Sequence, residues 1–270
     1  MTAPASLFDA ARACLDAAGV DDKPALTLAM AEAFARGELG TPEDAPPPQP
    51  IPMPGRPARP RLVHPRELPR RGFGNAEGRA AFIHAVAHIE FNAIDLAWDA
   101  VYRFRGMPAG YYADWVSVAA DEARHFAMLR ARLGDFGHDY GDFDAHNGLW
   151  EMAVKTAYDG MARMALVPRV LEARGLDVTP GMIVKLRALG DDATADILEV
   201  ILREEVAHVA AGSRWYRWHC ERAGVDPRRR FRELLHEHAS GVLHKPFNTA
   251  ARLQAGFDLD ELESLLAAAE

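Results

Sequence analysis

The stretch "ADILEVILREEVAHVAAGSRWYRW", residues 195–218, decides the reading of the chain. Leu198, Ile201, Leu202, Glu205, His208, Val209 and Gly212 recur at helical spacing, so one face of a helix reads as core and still carries a carboxylate and an imidazole. A second stretch, "DEARH" at 121–125, repeats the arrangement: Trp115, Val118, Ala119, Glu122, His125, Phe126 and Leu129 share a face. Two other apolar stripes each carry one acid. They are Ile83, Ala87, Glu90, Ile94, Ala97 and Val101, and Met161, Ala165, Pro168 and Glu172.

An unpaired buried carboxylate is costly and takes up a proton first. Four converging carboxylates call for a compensating cation, and carboxylate oxygen with imidazole nitrogen suits iron or manganese. One Glu from each of two helices and Glu-x-x-His from each of two others is the ligand pattern of ferritin-like di-iron and di-manganese bundles. The spacing agrees. Glu90 to Glu122 is 32 residues and Glu172 to Glu205 is 33; Glu90 to Glu172 is 82 and Glu122 to Glu205 is 83. The expected metal ligands are therefore Glu90, Glu122, His125, Glu172, Glu205 and His208, holding two iron ions or a Mn/Fe pair. Glu122 and Glu205 would bridge. Asp121 and Glu204, each preceding an ExxH glutamate, are candidates for orienting the histidines, or else a solvated helix edge.

A lone ExxH is weak evidence, since the Glu and His content gives about 0.7 such pairs by chance. The chain has three. The third, Glu233–His236, lacks a partner Glu upstream and reads as surface. Buried ion pairs or satisfied core histidines are the competing account of the other two. Tyr158 falls on the Met161–Glu172 face and reads as a core aromatic or a tyrosine near the metals. Pro168 should kink its helix and so could open a coordination position. His84, His88, Phe91 and Asp95 form a separate stripe facing away from Glu90, which packs on the connector or a neighbouring helix. Glu199 faces elsewhere. Asp135, Asp139, Asp142 and Asp144 lack EF-hand spacing and read as a solvated turn.

Around this core the organisation is all-α: a ferritin-like four-helix bundle with an N-terminal helical extension (1–39), a Pro/Arg-rich connector (40–74), the bundle itself (75–222) and a C-terminal helical segment packing on it (223–270). Short helices are expected over 5–19 and 24–37, with Gly19 and Gly37 as stops. Longer ones are expected near 76–105, 109–133, 148–174, 180–189 and 192–222, with Thr179 and Pro180 starting the fourth. The connector's prolines enforce an extended course. Its Arg56, Arg59, Arg61, Arg66, Arg70 and Arg71 read as a strap pairing with an acidic surface.

The 270 residues are 49% hydrophobic, enough for a sizeable core. A net charge of -8 argues against a general nucleic-acid coat. Two cysteines, Cys14 and Cys220, exclude a disulfide scaffold and point to a reducing compartment. With no basic n-region and no long apolar run, the expectation is a cytoplasmic protein with no membrane partner. Nucleotide loops of the GxxxxGK[ST] or GxGxxG kind are absent.

"RPARPRLVHPRELPRRGFGNAEGRAAFIHAVAHIEFNAIDLAWDAVYRF", "DEARHF", "RVLEARGLDVTPGM", "EEVAHVAAGSRWY" and "HKPFNTAARLQAGF" together resemble an uncharacterised bacterial ferritin-like family, a domain-of-unknown-function family distantly similar to the di-iron hydroxylases that modify tRNA. The resemblance runs from about residue 56 to 257 and leaves residues 1–40 uncovered. It implies a ferritin-like fold and a di-metal site at the same six positions. The long connector and the C-terminal segment depart from ferritin itself and argue against a storage cage. The expected function is an O2-activating hydroxylase or oxidase. Its substrate, a small molecule or an RNA-borne group, is unspecified, and its electrons come from an external donor. A homodimer is compatible. Ferroxidase or metal handling without an organic substrate is the alternative, and a structural metal clasp a third reading.

Overall fold

The computed structural model describes residues 6–69, 72–239 and 244–268. Arg70 and Arg71, like the tips of the expected N- and C-terminal segments and residues 240–243, lie outside the described residues. Every regular element described is helical. Among the described residues, extended pairing is limited to one isolated parallel bridge, Leu62 to Ala145. No described helix is long and apolar enough to cross a membrane. The chain divides into two compact units, Met1–Val154 and Lys155–Glu270. The division falls inside the 75–222 stretch, so each unit carries one Glu-bearing segment and one ExxH helix.

In the first unit, α1 is Leu7–Asp16, α2 Asp22–Ala35, α3 Ala76–Arg103, α4 Ala109–Gly134 and α5 Gly148–Lys155. Helix α3 starts where the Asn75 side chain accepts from Gly78 N–H at 2.7 Å, an N-cap. Position 78 has to be glycine, because a Cβ there would sit 1.9 Å from the Gly72 carbonyl oxygen. Gly106, in the left-handed region at φ +67°, turns the chain back, and α3 packs along α4. Helix α1 lies on α3 and α2 on α4.

A polar tie joins these layers. Lys23 and Asp95 are both fully buried and paired. Lys23 Nζ also donates to the Cys14 and Leu15 carbonyls, at 2.9 and 3.3 Å, near the end of α1. Trp98 Nε1 donates to Thr27 Oγ1 at 3.0 Å. Both cysteines are buried and free.

The turn-rich segment 135–147 folds back onto α3 through the second stripe. Gly141 N–H donates to His84 Nε2 at 2.9 Å. His88 has both ring nitrogens engaged, with Tyr140 OH at 2.8 Å and the His146 carbonyl at 3.0 Å. Burial holds His84 down to about 4 and His88 to about 3, so both rings stay neutral. The acidic turn is solvated as expected: Asp139 pairs with Arg130 and Asp144 with Arg61, the latter a connector arginine. Arg56 instead reaches in to Asn92.

In the second unit, α6 is Gly160–Leu166, a π-helical turn covers Val167–Glu172, α7 is Ala173–Ala188, α8 Asp192–Ala223, α9 Pro227–His238, α10 Thr249–Gln254 and α11 Leu259–Ala268. Two expectations are corrected here. The helix foreseen over 148–174 is broken at 156–159, because Asp159 turns its carboxylate onto Met161 N–H, at 2.6 Å, and caps α6. Tyr158 therefore sits in the break, 64% exposed and 3.1 Å from His238 Nε2, rather than in a core stripe. Nor does a helix begin at Thr179–Pro180. Pro180 lies inside α7. Proline leaves the carbonyl four residues earlier without its helical donor, and Asn248 supplies one, its Nδ2 donating to the Leu176 carbonyl at 3.1 Å. Arg252 forms a buried two-point pair with Asp177, at 2.9 and 2.7 Å, so the segment before and along α10 is bound to α7.

Removing one member of the Lys23–Asp95 pair leaves the other charge buried alone. Lys23→Met should cost about 3–5 kcal/mol of unfolding free energy in urea titration, and Lys23→Met with Asp95→Leu should regain most of it. A single-variant loss under about 1 kcal/mol would show that the pair does not join the layers.

Candidate metal centre

The first cluster is built by two helices packed side by side. Helix α3 carries Glu90, 4% exposed, and α4 carries Glu122 and His125, 1% and 0% exposed. The three residues each offer a ligand atom, and those atoms lie within 4.8 Å of one another. His125 Nδ1 is 3.1 Å from Glu90 Oε2 and 3.5 Å from Glu122 Oε2. The three-residue spacing of Glu122 and His125 sets both on the face of α4 that meets α3.

Burial pushes the Glu90 carboxyl up to about 8, and the neighbouring Glu122 charge adds to the rise. Burial works against the His125 imidazolium, yet its bonds to Glu122 and Glu90 outweigh that and raise it to about 11. Glu90 is thus driven to take up a proton and His125 to retain one. Two carboxylates and an imidazole that share buried space and hold protons this tightly are a donor set suited to a divalent ion of the iron or manganese kind.

The second unit repeats the pattern. On α8, Glu205 and His208 are 9% and 2% exposed, and His208 Nδ1 lies 3.1 Å from Glu205 Oε1. The same ring nitrogen faces the carboxylate in both ExxH pairs. Glu172 ends the π turn, which packs on α8, and is half-buried. The turn follows from Pro168, which has no N–H and whose ring disfavours a tight α turn. Ala173 N–H accordingly bonds back five residues, to the Pro168 carbonyl. Pro168 presses on Gly212, where a Cβ would lie 2.3 Å from the proline Cγ.

The other candidates fall as follows. Asp121 accepts from Arg124 and Glu204 lies 3.8 Å from Arg203, both contacts on their own helices and both acids partly exposed. Glu233 is an exposed partner of Arg230, and Glu199 of Arg187. Sequence reasoning missed the π turn as such, reading only a kink at Pro168. It also missed Arg169, 2% exposed within that turn. Its one signal was an arginine embedded in the apolar run "MALVPRVL".

A family model described as "Protein of unknown function (DUF455)" matches residues 16–263. The chain belongs to the DUF455 family. The DUF455 match starts well upstream of residue 56, so α2 and the connector, left outside or at the edge of the sequence resemblance, are part of the shared unit. An uncharacterized protein of Haemophilus influenzae is 47% identical over 214 residues, covering 77% of this chain and 74% of the relative. No solved structure matches the chain.

Because Glu90 and His125 both bind protons more tightly when folded, their stabilising contribution is full at low pH. It is lost as pH rises, for Glu90 from 4.5 through about 8 and for His125 from 6.5 towards about 11. The urea midpoint of chelator-treated protein should fall between pH of about 5 and about 9, and Glu90→Gln should flatten the slope. An unchanged slope in Glu90→Gln would remove Glu90 from the cluster.

Proposed function

We propose that this chain is a ferritin-like di-metal oxidoreductase. In this reading Glu90, Glu122 and His125, together with Glu172, Glu205 and His208, would hold two iron ions or a Mn/Fe pair. The observation that carries it is the buried cluster of Glu90, Glu122 and His125, with three ligand atoms inside 4.8 Å. The repetition of an ExxH pair with Nδ1 turned to its glutamate supports the same reading for the second half.

Glu122 and Glu205, one turn before the histidines, would hold the ions together with the imidazoles of His125 and His208, and Glu90 and Glu172 would complete the donor set. Bound there, such ions would supply O2 activation for the hydroxylation or oxidation of a substrate, with electrons from an external donor. The chain's own part is to fix these donors and to exclude water. The apolar stripe that carries Glu90, with Ile83, Ala87 and Ile94 all 0% exposed, suits that task. A substrate carried on RNA or free in solution is compatible with this site.

Anaerobic reconstitution with ferrous iron should load about two ions per chain. Glu122→Ala or His208→Ala should each lose at least one ion and lower the thermal midpoint. Either variant retaining full stoichiometry would remove that residue from the ligand set. Oxygen uptake that converts only iron, in step with ferrous iron added and with no turnover under continuous reduction, would instead favour ferroxidase or metal handling.

A further inference from the structure

The π turn at 167–172 sets where Glu172 points. A bond five residues back inserts one extra residue into the helical turn, and one residue is roughly 100° of α-helical rotation. If the segment relaxed to α geometry, every side chain after the turn would swing by about that angle relative to α6. Glu172 is the last residue of the turn and would swing with it.

One side chain of the turn is clasped from several elements. Arg169 is 2% exposed, and its Nε lies 3.2 Å from Ser213 Oγ on α8. Its Nη2 donates to Glu261 Oε1 on α11 at 2.6 Å. The guanidinium also lies 4.8 Å from the Tyr216 ring centre, 4.3 Å from Phe231 and 4.4 Å from Phe257. Helices α8, α9 and α11 and the loop before α11 therefore converge on a single residue of the π turn. Its neighbours Leu166, Val167 and Val170 are apolar and buried. A fully buried guanidinium is costly unless its geometry is used.

We infer that Arg169 is a positioning residue: held by Ser213, Glu261 and the three rings, it fixes the π turn and with it the direction of the Glu172 carboxylate. The C-terminal helices are then a working part of the metal site rather than an appendage. Arg169 itself acts only through Glu172, and the inference rests on reading Glu172 as a ligand.

The test compares Arg169→Lys, which keeps the charge and loses the fork, with Glu261→Gln and with a control, Arg252→Lys. Arg252 is an equally buried arginine of the same unit, paired with Asp177. Cobalt(II) titration with its ligand-field absorption reads the site, and deuterium exchange of residues 167–174 reads the turn. Arg169→Lys should speed exchange there, weaken the second cobalt equivalent by about 10–100-fold and alter its absorption band. Glu261→Gln should do the same to a smaller extent and serves if Arg169→Lys folds poorly. Arg252→Lys should lower the melting temperature while leaving the cobalt titration as in wild type. Wild-type cobalt binding in both Arg169→Lys and Glu261→Gln would overturn the inference, as would equal losses in Arg169→Lys and Arg252→Lys. Wild-type protein that binds no cobalt would overturn the metal reading itself. The exchange data would then still judge the clasp alone, and unchanged exchange in Arg169→Lys would refute it.

Discussion

Two carboxylates and an imidazole buried within a few ångströms of one another are the constraint on which the rest depends. Withdrawing an ion from water costs several kcal/mol even after relaxation, and Glu90 and Glu122 are both almost fully buried. The folded chain answers with protons, drawing Glu90 up and holding His125 charged. A core would not accept that arrangement for packing alone, since leucine or methionine at those positions would fill the volume without the penalty. A bound cation would take the place of these protons.

The supporting structure serves these few positions. In the first unit, neutral His84 and His88 fix the 135–147 segment on α3 around Tyr140, while Lys23 and Asp95 lock α2 and the end of α1 against it. In the second, Pro168 and Gly212 fit together where a side chain at 212 would collide with the proline ring. Arg169 then anchors the turn that ends in Glu172. Both units use buried polar ties to fix helices that carry candidate ligands. Such ties add little net stability, but they penalise any register other than the native one.

The burial of Glu90, Glu122, His125, Glu205 and His208 was legible because each falls at helical spacing within an apolar stripe, whereas Glu172, placed on a stripe by the same rule, is only half-buried. Helix content, the α3–α4 hairpin and the exposed Glu233–His236 pair were legible for the same reason: local periodicity and punctuation decide them. What escaped the sequence was decided by distant partners. Pro180 reads as a helix start until Asn248, far along the chain, takes the carbonyl it leaves bare. Tyr158 reads as core until Asp159 caps the next helix. The π turn needs Gly212 and Ser213 on α8 and Glu261 on α11, none of them visible from Pro168 and Arg169 alone. A lysine in "DDKPAL" announces nothing of its buried partner Asp95.

Membership of the DUF455 family brings no chemistry with it, so the functional reading stands on the side chains. Anomalous diffraction at the iron edge, from crystals loaded with ferrous iron, tests it most directly. The account predicts two peaks about 3.5–4 Å apart, one bonded to His125 and the other to His208, with Glu122 and Glu205 among the ligands. No peak among these residues, or a single ion bound by Glu90, Glu122 and His125 alone, would contradict it.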